Sequence, residues 1–305
     1  MQHKKTIVIA GGTGLVGQFI SASLSKEDFQ IVILTRKPTL LKNGLQYIQW
    51  DPLSLYIDPI LQHADMIINL AGEGIADNRW TSSRKRALIE SRLQSVATIK
   101  KWLEHSNIRP ELYIGASAVG YYGDRNEEKL DEFSTPGDDF LAKTCIQWEE
   151  ASTALEPLVE RLAIVRIGVV LSMKGGALPK MFLSKSLGIL SYFGKGRQFM
   201  PWIHIKDLFN ILLFVIQNPE VKGVYNAVAP QEITNRQSIQ SIAKLFPHVW
   251  LILSAPSIVL KLVLGEMSTV VLSGQRVIPQ RLKDEGFTFH FTDIKEAIQD
   301  LMEKT

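Results

Sequence analysis

The sequence predicts an α/β protein: a doubly wound parallel sheet with helices on both faces, followed by a smaller C-terminal α+β lobe. Three observations carry this expectation. Apolar runs alternate with helical patterns from Thr6 onward, the rhythm of repeated strand–helix–strand units. The first run, Ile7-Val8-Ile9-Ala10, leads directly into the glycine turn Gly11-Gly12-Thr13-Gly14-Leu15-Val16-Gly17. From about Gln231 the alternation stops and short helical pieces surround one apolar strand.

Taken in order, the expected strands cover residues 6–10, 31–35, 47–50, 66–71, 112–117, 161–167 and 224–227. Their apolar content runs without clean alternation, as it does in strands covered on both faces. Helices are expected over 15–25, with Leu15, Phe19, Ile20 and Leu24 at helical spacing, over 82–105, opened by the cap cluster Thr81-Ser82-Ser83, and over 140–155. Beyond Gln231 the pattern gives helices over 236–245, 257–264 and 294–302 and a strand over 249–253, a lobe closing over the ligand-binding edge of the sheet. The expected division is 1–229 for the nucleotide-binding domain with its crossover segments, and 230–305 for the small C-terminal domain.

Composition narrows the class of partner. The 305 residues are 46% hydrophobic and 21% charged, with a net charge of +3. Lys and Arg are scattered, which argues against nucleic acid. One cysteine, Cys145, excludes an intramolecular disulfide and a cysteine-rich zinc site, and no metal is expected. The chain starts without a signal-peptide apolar core. Segments 208–216 and 249–264 are the greasiest, but the first is too short for a membrane span and the second is interrupted by Ser254, Pro256 and Lys261, so both read as buried elements. The expectation is a cytoplasmic protein that takes a small-molecule substrate and has no membrane partner.

The glycine turn carries the first chemistry. Gly12, Gly14 and Gly17 fit G-x-G-x-x-G, and Gly11, Gly14 and Gly17 fit G-x-x-G-x-x-G. Such glycines allow a tight strand-to-helix turn, close approach of a pyrophosphate to the backbone, and packing of helix on strand. The helix start then offers free N–H groups to phosphates. Gly11, Gly12, Thr13, Gly14, Leu15 and Val16 are therefore the expected dinucleotide contacts. The second strand ends in Thr35-Arg36-Lys37, where an NAD enzyme usually places a carboxylate; the cation Arg36 suits a 2′-phosphate and favours NADP over NAD. Asp51, after the third strand, is placed to meet the adenine, and Leu70-Ala71-Gly72, after the fourth, to lie against the middle of the cofactor.

Together these residues resemble the extended short-chain dehydrogenase/reductases that include nucleotide-sugar epimerases and dehydratases. GGTGLVG, NLAGEGIADNRW, SAVGYYGD, RIGVVLS, GGALPKM, GRQFMPWIHIKDL, GVYNAVAP and LGEMSTVVLSGQRVIPQRLKDEGF look like one epimerase-family branch over nearly the whole chain. The resemblance implies a Rossmann domain binding NADP, a substrate lobe and a short C-terminal domain characteristic of the branch. A homodimer through the helices starting at Ser82 and Phe140 is the corresponding family-level expectation.

The family's proton relay is absent. Dehydrogenases of this superfamily carry Tyr-x-x-x-Lys on a helix, so that the ammonium lowers the phenol's pKa. No tyrosine here is followed by lysine at that spacing; Leu141 and Cys145 stand at the two positions, and Lys143 lies about 200° round the helix from Leu141. The usual serine position holds Ala118, with Ser117 one residue earlier. Ser117, Tyr121 and Tyr122 are the remaining candidates for proton transfer. Arg166 resembles the family's strand-end arginine and is expected near the cofactor. For substrate, Glu73, Arg79 and Trp80 form a polar loop able to grip an anion and stack on a ring, with Arg92 and Arg276 as further cations. Lys195 and Arg197 lie in a basic glycine loop suited to phosphate. His204 is a candidate substrate contact or, with Asp207, a fixture of the junction between lobes, Asp207 being near a helix it can cap. Two readings follow: an NADP-dependent epimerase or oxidoreductase on an anionic, nucleotide-sugar-like or carbonyl substrate, or an NADPH-binding sensor or interaction protein without dehydrogenase activity.

Overall fold

In the computed structural model, which describes residues 4–27, 29–42 and 44–303, seven parallel strands form the central sheet. They are β1 (Thr6–Ala10), β2 (Gln30–Thr35), β3 (Leu45–Asp51), β4 (Met66–Asn69), β5 (Leu112–Ala118), β6 (Leu162–Ile167) and β7 (Gly223–Ala227). Their spatial order is β7-β6-β5-β4-β1-β2-β3, with the short strand Leu40–Lys42 antiparallel on the outer edge of β3. The order reverses direction between β1 and β4, and in such sheets the crevice at that point, outside the carboxyl ends of the strands, is where ligands bind. This is the Rossmann-type arrangement expected from the sequence.

Four helices cover the sheet: α1 (Leu15–Leu24), α2 (Ser82–His105), α3 (Phe140–Thr153) and α4 (Ile205–Gln217). Each strand contributes to two cores because its side chains alternate between faces. Ile7, Ile9, Ile31 and Ile33 join Ile20 and Leu24 of α1 and Leu208, Ile211 and Val215 of α4. Val8, Val32, Ile67 and Ile164 join Val96 and Ile99 of α2 and Trp148 of α3. Thr81 caps α2 by accepting from the Arg84 amide, and Asp139 caps α3 by accepting from the Ala142 amide.

A third core belongs to the smaller lobe and is drawn from both sides of residue 230. Leu171, Leu178, Phe182, Leu190 and Trp202 pack with Ile239, Ile242, Phe246, Ile294 and Ile298. The parallel pair Ile189–Phe193 and Leu251–Ala255 forms its outer sheet. The C-terminal stretch also packs on the main sheet: Leu282 is buried in the main core with Phe287 and Phe289 against it, so the chain returns to the side of β7.

The junction of the lobes differs in detail from the expected one. His204, not Asp207, caps α4: its Nδ1 accepts from the Lys206 amide at 3.1 Å. Asp207 is fully buried, and its two oxygens accept from the amides of His290 and Phe291 at 3.0 and 2.9 Å. Segment 249–264 also departs from expectation. Leu208, Ile211, Leu212 and Val215 of segment 208–216 are fully buried, but the helix Ser257–Leu264 buries none of its residues. Stripping the acceptors from Asp207 leaves two amides without partners, so Asp207→Ala is expected to cost about 2 kcal/mol. Urea denaturation reads this directly, and an unchanged midpoint would show that Asp207 does not hold the C-terminal segment.

Candidate functional site

The crevice begins at the glycine turn. Gly11 has φ +77°, and a Cβ there would sit 2.7 Å from the Leu70 carbonyl carbon. A Cβ on Gly12 would lie 2.8 Å from the Ile33 side chain, and one on Gly17 would overlap the Gly11 carbonyl oxygen. These glycines let β1, β4 and α1 approach one another; Gly14 opens α1 with no side-chain cap, leaving the first amides of the helix directed at the crevice. Leu70 donates its amide to Ala10, and Ala71 donates to Asn69 Oδ1 at 3.1 Å. Asn69 is itself fixed, donating to Ser95 Oγ and the Tyr113 hydroxyl, both at 3.1 Å. Turn 70–72 thus faces the glycine turn across the switch point. Across the crevice mouth, Gly175 and Gly176 stand against Leu15, where added Cβ atoms would come within 3.4 to 3.5 Å of its methyls.

The tips of β2 and β3 form the adenosine end. Arg36 is exposed. Asp51 accepts from Ser54 Oγ at 2.6 Å and from the Leu53 amide at 3.1 Å. Those bonds, the Ser54 hydroxyl first and the charge of Arg36 last, hold its carboxyl below the ordinary range. Arg36 and Asp51 are therefore neighbours with opposite charges across adjacent strand ends.

The candidates for proton transfer converge on a buried network. Arg166 is 3% exposed and pairs bidentately with Glu149, Nε to Oε1 and Nη2 to Oε2, both at 2.8 Å. Its Nη1 donates to the Tyr122 hydroxyl at 2.9 Å, and the guanidinium carbon lies 3.4 Å from the Tyr121 ring centroid. Ser117 donates to Glu149 Oε1 at 2.6 Å. Tyr122 donates to Asn226 Oδ1 at 2.7 Å. Asn226 donates in turn to the Ile278 carbonyl and, through its amide, to Glu132. Burial pushes the Tyr122 phenol up to about 12 against the opposing influence of Arg166. Ser117 and Tyr122 are 2% and 0% exposed, so neither reaches the crevice. Tyr121 is partly exposed and is the one of the three that faces outward.

The place of the missing relay is filled by packing. Leu141 joins Trp80, Leu88, Phe140 and Met267 in an apolar cluster. Cys145 is buried, and burial first, then the charge of Glu149, pushes its thiol up to about 12. A Cβ on Gly120 would lie 3.3 Å from Leu141 Cβ, so α3 rests directly on the 119–122 turn.

Several expected substrate contacts are committed elsewhere. Trp80 donates to the Ile75 carbonyl and packs edge-on against Phe140 at 5.0 Å, which removes it from ring stacking with a ligand. Arg79 donates to the Leu262 carbonyl at 2.9 Å. Glu73 pairs with Arg84. Arg92 donates to the carbonyls of Leu88 and Glu73. Arg276 pairs with Glu232. His204 is fully buried, stacked on Phe291 at 3.9 Å, and serves the junction, not a substrate. Lys195 and Arg197 remain exposed on a tight turn whose glycines have φ +56° and +68°. A separate depression of about 600 Å³ lies at the opposite, amino end of the sheet beside Lys5, Glu111 and Arg161. Its charges are used by Lys5 with Glu111 and by Arg161 with the carbonyls of Val215 and Val221.

Glu149 and Glu132 are site residues the sequence reading did not single out. Glu149 had a signal: it lies seven residues after Ala142 on the face that buries Cys145 and Ser152, and a buried strand-end arginine requires a carboxylate.

A doubly wound sheet with an open glycine turn at its switch point defines a dinucleotide-binding protein. The chain belongs to the NAD-dependent epimerase/dehydratase family, whose model matches residues 7–228; a domain of unknown function matches 255–301. It is an NAD(P)-binding member of that family. An epimerase family protein of Staphylococcus aureus is 36% identical over 307 residues, covering 98% of this chain and all of the relative. The crystal structure of human epimerase family protein SDR39U1 with NADPH superimposes with a TM-score of 0.89 at 32% identity, covering 98% of this chain and all of that one. A nucleoside-diphosphate sugar epimerase from Corynebacterium glutamicum gives 0.75 at 34% identity, covering 97% of this chain and 57% of that one.

Gly17→Ala places a methyl group on the Gly11 carbonyl, so it is expected to weaken NAD(P)H binding by about tenfold or more. Titration of nicotinamide fluorescence measures it, and wild-type affinity in the variant would contradict the assignment of the turn.

Proposed function

We propose that the chain binds NADP in preference to NAD and acts as an oxidoreductase or epimerase on a small carbonyl or anionic, nucleotide-sugar-like substrate. The observation that carries the cofactor choice is Arg36, exposed at the tip of β2 beside Asp51, with no carboxylate on Thr35 to receive a ribose 2′-hydroxyl. The crevice fits the dinucleotide. The glycines leave room for its pyrophosphate, the opening amides of α1 supply donors, turn 70–72 lines the middle, and Arg36 matches a 2′-phosphate. When bound, the cofactor supplies or accepts hydride at its nicotinamide.

The chain's own residues then orient and enclose the ligands. In this reading the partly exposed Tyr121 is the phenol available to a ligand, and the exposed Lys195 and Arg197 are the cations for an anionic substrate. The human neighbour crystallised with NADPH supports the cofactor reading, and the named epimerase of C. glutamicum supports the substrate class.

The burial of Ser117 and Tyr122, with Leu141 in an apolar cluster, favours the second reading: an NADPH-responsive sensor or interaction protein without turnover. The two are separated by following NADPH absorbance with aldehydes, ketones and nucleotide sugars. Turnover supports the enzyme, and its absence across the panel supports the sensor. For the cofactor choice, Arg36→Glu is expected to weaken NADPH binding by about tenfold and to leave NADH nearly unchanged. Calorimetric titration of both tests it, and equal losses for the two cofactors would overturn the role of Arg36.

A further inference from the structure

The helix Ser257–Leu264 is apolar on every side except Ser257 and Lys261, a composition that ordinarily means burial, yet none of its residues is buried. Ile258, Val259, Leu262 and Val263 are 71%, 50%, 74% and 61% exposed. At 100° per residue they cover an arc of about 140°, with Lys261 about 60° outside its edge. The chain immediately before the helix extends the same character, with Trp250 74% and Leu253 44% exposed. Gly188 abuts the Trp250 ring, which brings in the exposed Leu187. With Leu183, these make eight of the fourteen large apolar side chains that the described residues expose.

The two segments whose strands pair beside this face are free of acidic residues. Residues 169–200 and 233–265, which pair through the strands Ile189–Phe193 and Leu251–Ala255, contain eight Lys or Arg and no Asp or Glu. The rest of the chain has 26 basic and 31 acidic residues. A second copy of this chain is a poor occupant, because isologous pairing sets this cationic segment against itself. An anionic lipid surface complements both properties. Apolar side chains enter the boundary between headgroups and acyl chains, a tryptophan lies at headgroup level, and lysines reach anionic headgroups.

We infer that the Trp250–Leu264 face is a peripheral docking surface for anionic lipid bilayers. No helix among the described residues is long and apolar enough to cross a membrane, so the chain lies on the bilayer without spanning it. The surface adjoins the loop after β4: Arg79 in that loop donates to the Leu262 carbonyl, and Lys85 of α2 pairs with Glu266 at 2.7 Å. Docking therefore occurs beside the loop that borders the ligand edge.

Flotation of the full chain with vesicles tests this, using phosphatidylcholine alone and phosphatidylcholine mixed with phosphatidylglycerol. The expected result is co-flotation with the anionic vesicles only, weakened in ~0.5 M salt. The double substitution Ile258→Glu, Leu262→Glu is expected to lower partitioning at least about tenfold while NADPH affinity stays at the wild-type value. Should that variant misfold, Lys261→Glu supplies the second arm, with partial loss expected. Absence of flotation with anionic vesicles overturns the inference, as does equal flotation with neutral vesicles that Lys261→Glu and salt leave unchanged. Concentration-dependent self-association abolished by the double substitution would overturn it in favour of a second copy.

Discussion

The buried ion pair between Arg166 and Glu149 is the constraint on which the ligand edge of the sheet depends. Burial by itself disfavours a charged guanidinium, but the hydrogen bonds and charge of Glu149 outweigh it and hold the proton more firmly than usual. Such a pair is tolerated only when the remaining donors and acceptors are also satisfied. Ser117 supplies Glu149 with a further donor, and the Tyr122 hydroxyl gives Arg166 a further acceptor. From Tyr122 the bonds continue through Asn226 to Glu132 and to the Ile278 carbonyl. One connected network therefore fixes the ends of β5, β6 and β7, the face of α3 and the C-terminal segment.

This dependence bears on what the family fold can do here. The cofactor half of the crevice is built from backbone and glycine, and it requires only that β1, β4 and α1 approach closely. The half that performs proton transfer in the superfamily's dehydrogenases is rebuilt as structure. Ser117 and Tyr122 are used to satisfy an ion pair, and Leu141 packs with Met267 from the C-terminal domain. Possession of the nucleotide site and possession of the relay are thus separate properties, and this chain carries the first without the second.

The sheet was legible because its signals are local and strong. Strand 6–10 and helices 82–105 and 257–264 begin and end where their patterns place them, since apolar periodicity and caps act within a few residues. Partners were less legible, because a hydrogen bond across the fold leaves little trace in sequence spacing. Arg79, Arg92 and Arg276 all look like free cations in sequence, and each is engaged by a carbonyl or carboxylate from elsewhere in the fold. His204 takes the capping role expected of Asp207, because the segment at 290–291, far along the chain, supplies the amides from which Asp207 accepts. Segment 249–264 has the hydropathy of a core element, and pattern alone does not distinguish a face turned inward from one turned outward.

The most direct measurement is the titration of Tyr122, followed by the 13Cζ resonance of labelled tyrosine and assigned with a Tyr122→Phe variant. If the network is structural, the phenol stays protonated across the neutral range and titrates at about 12. A midpoint near 7 would show a phenol poised for proton transfer and would contradict the separation of cofactor site from relay.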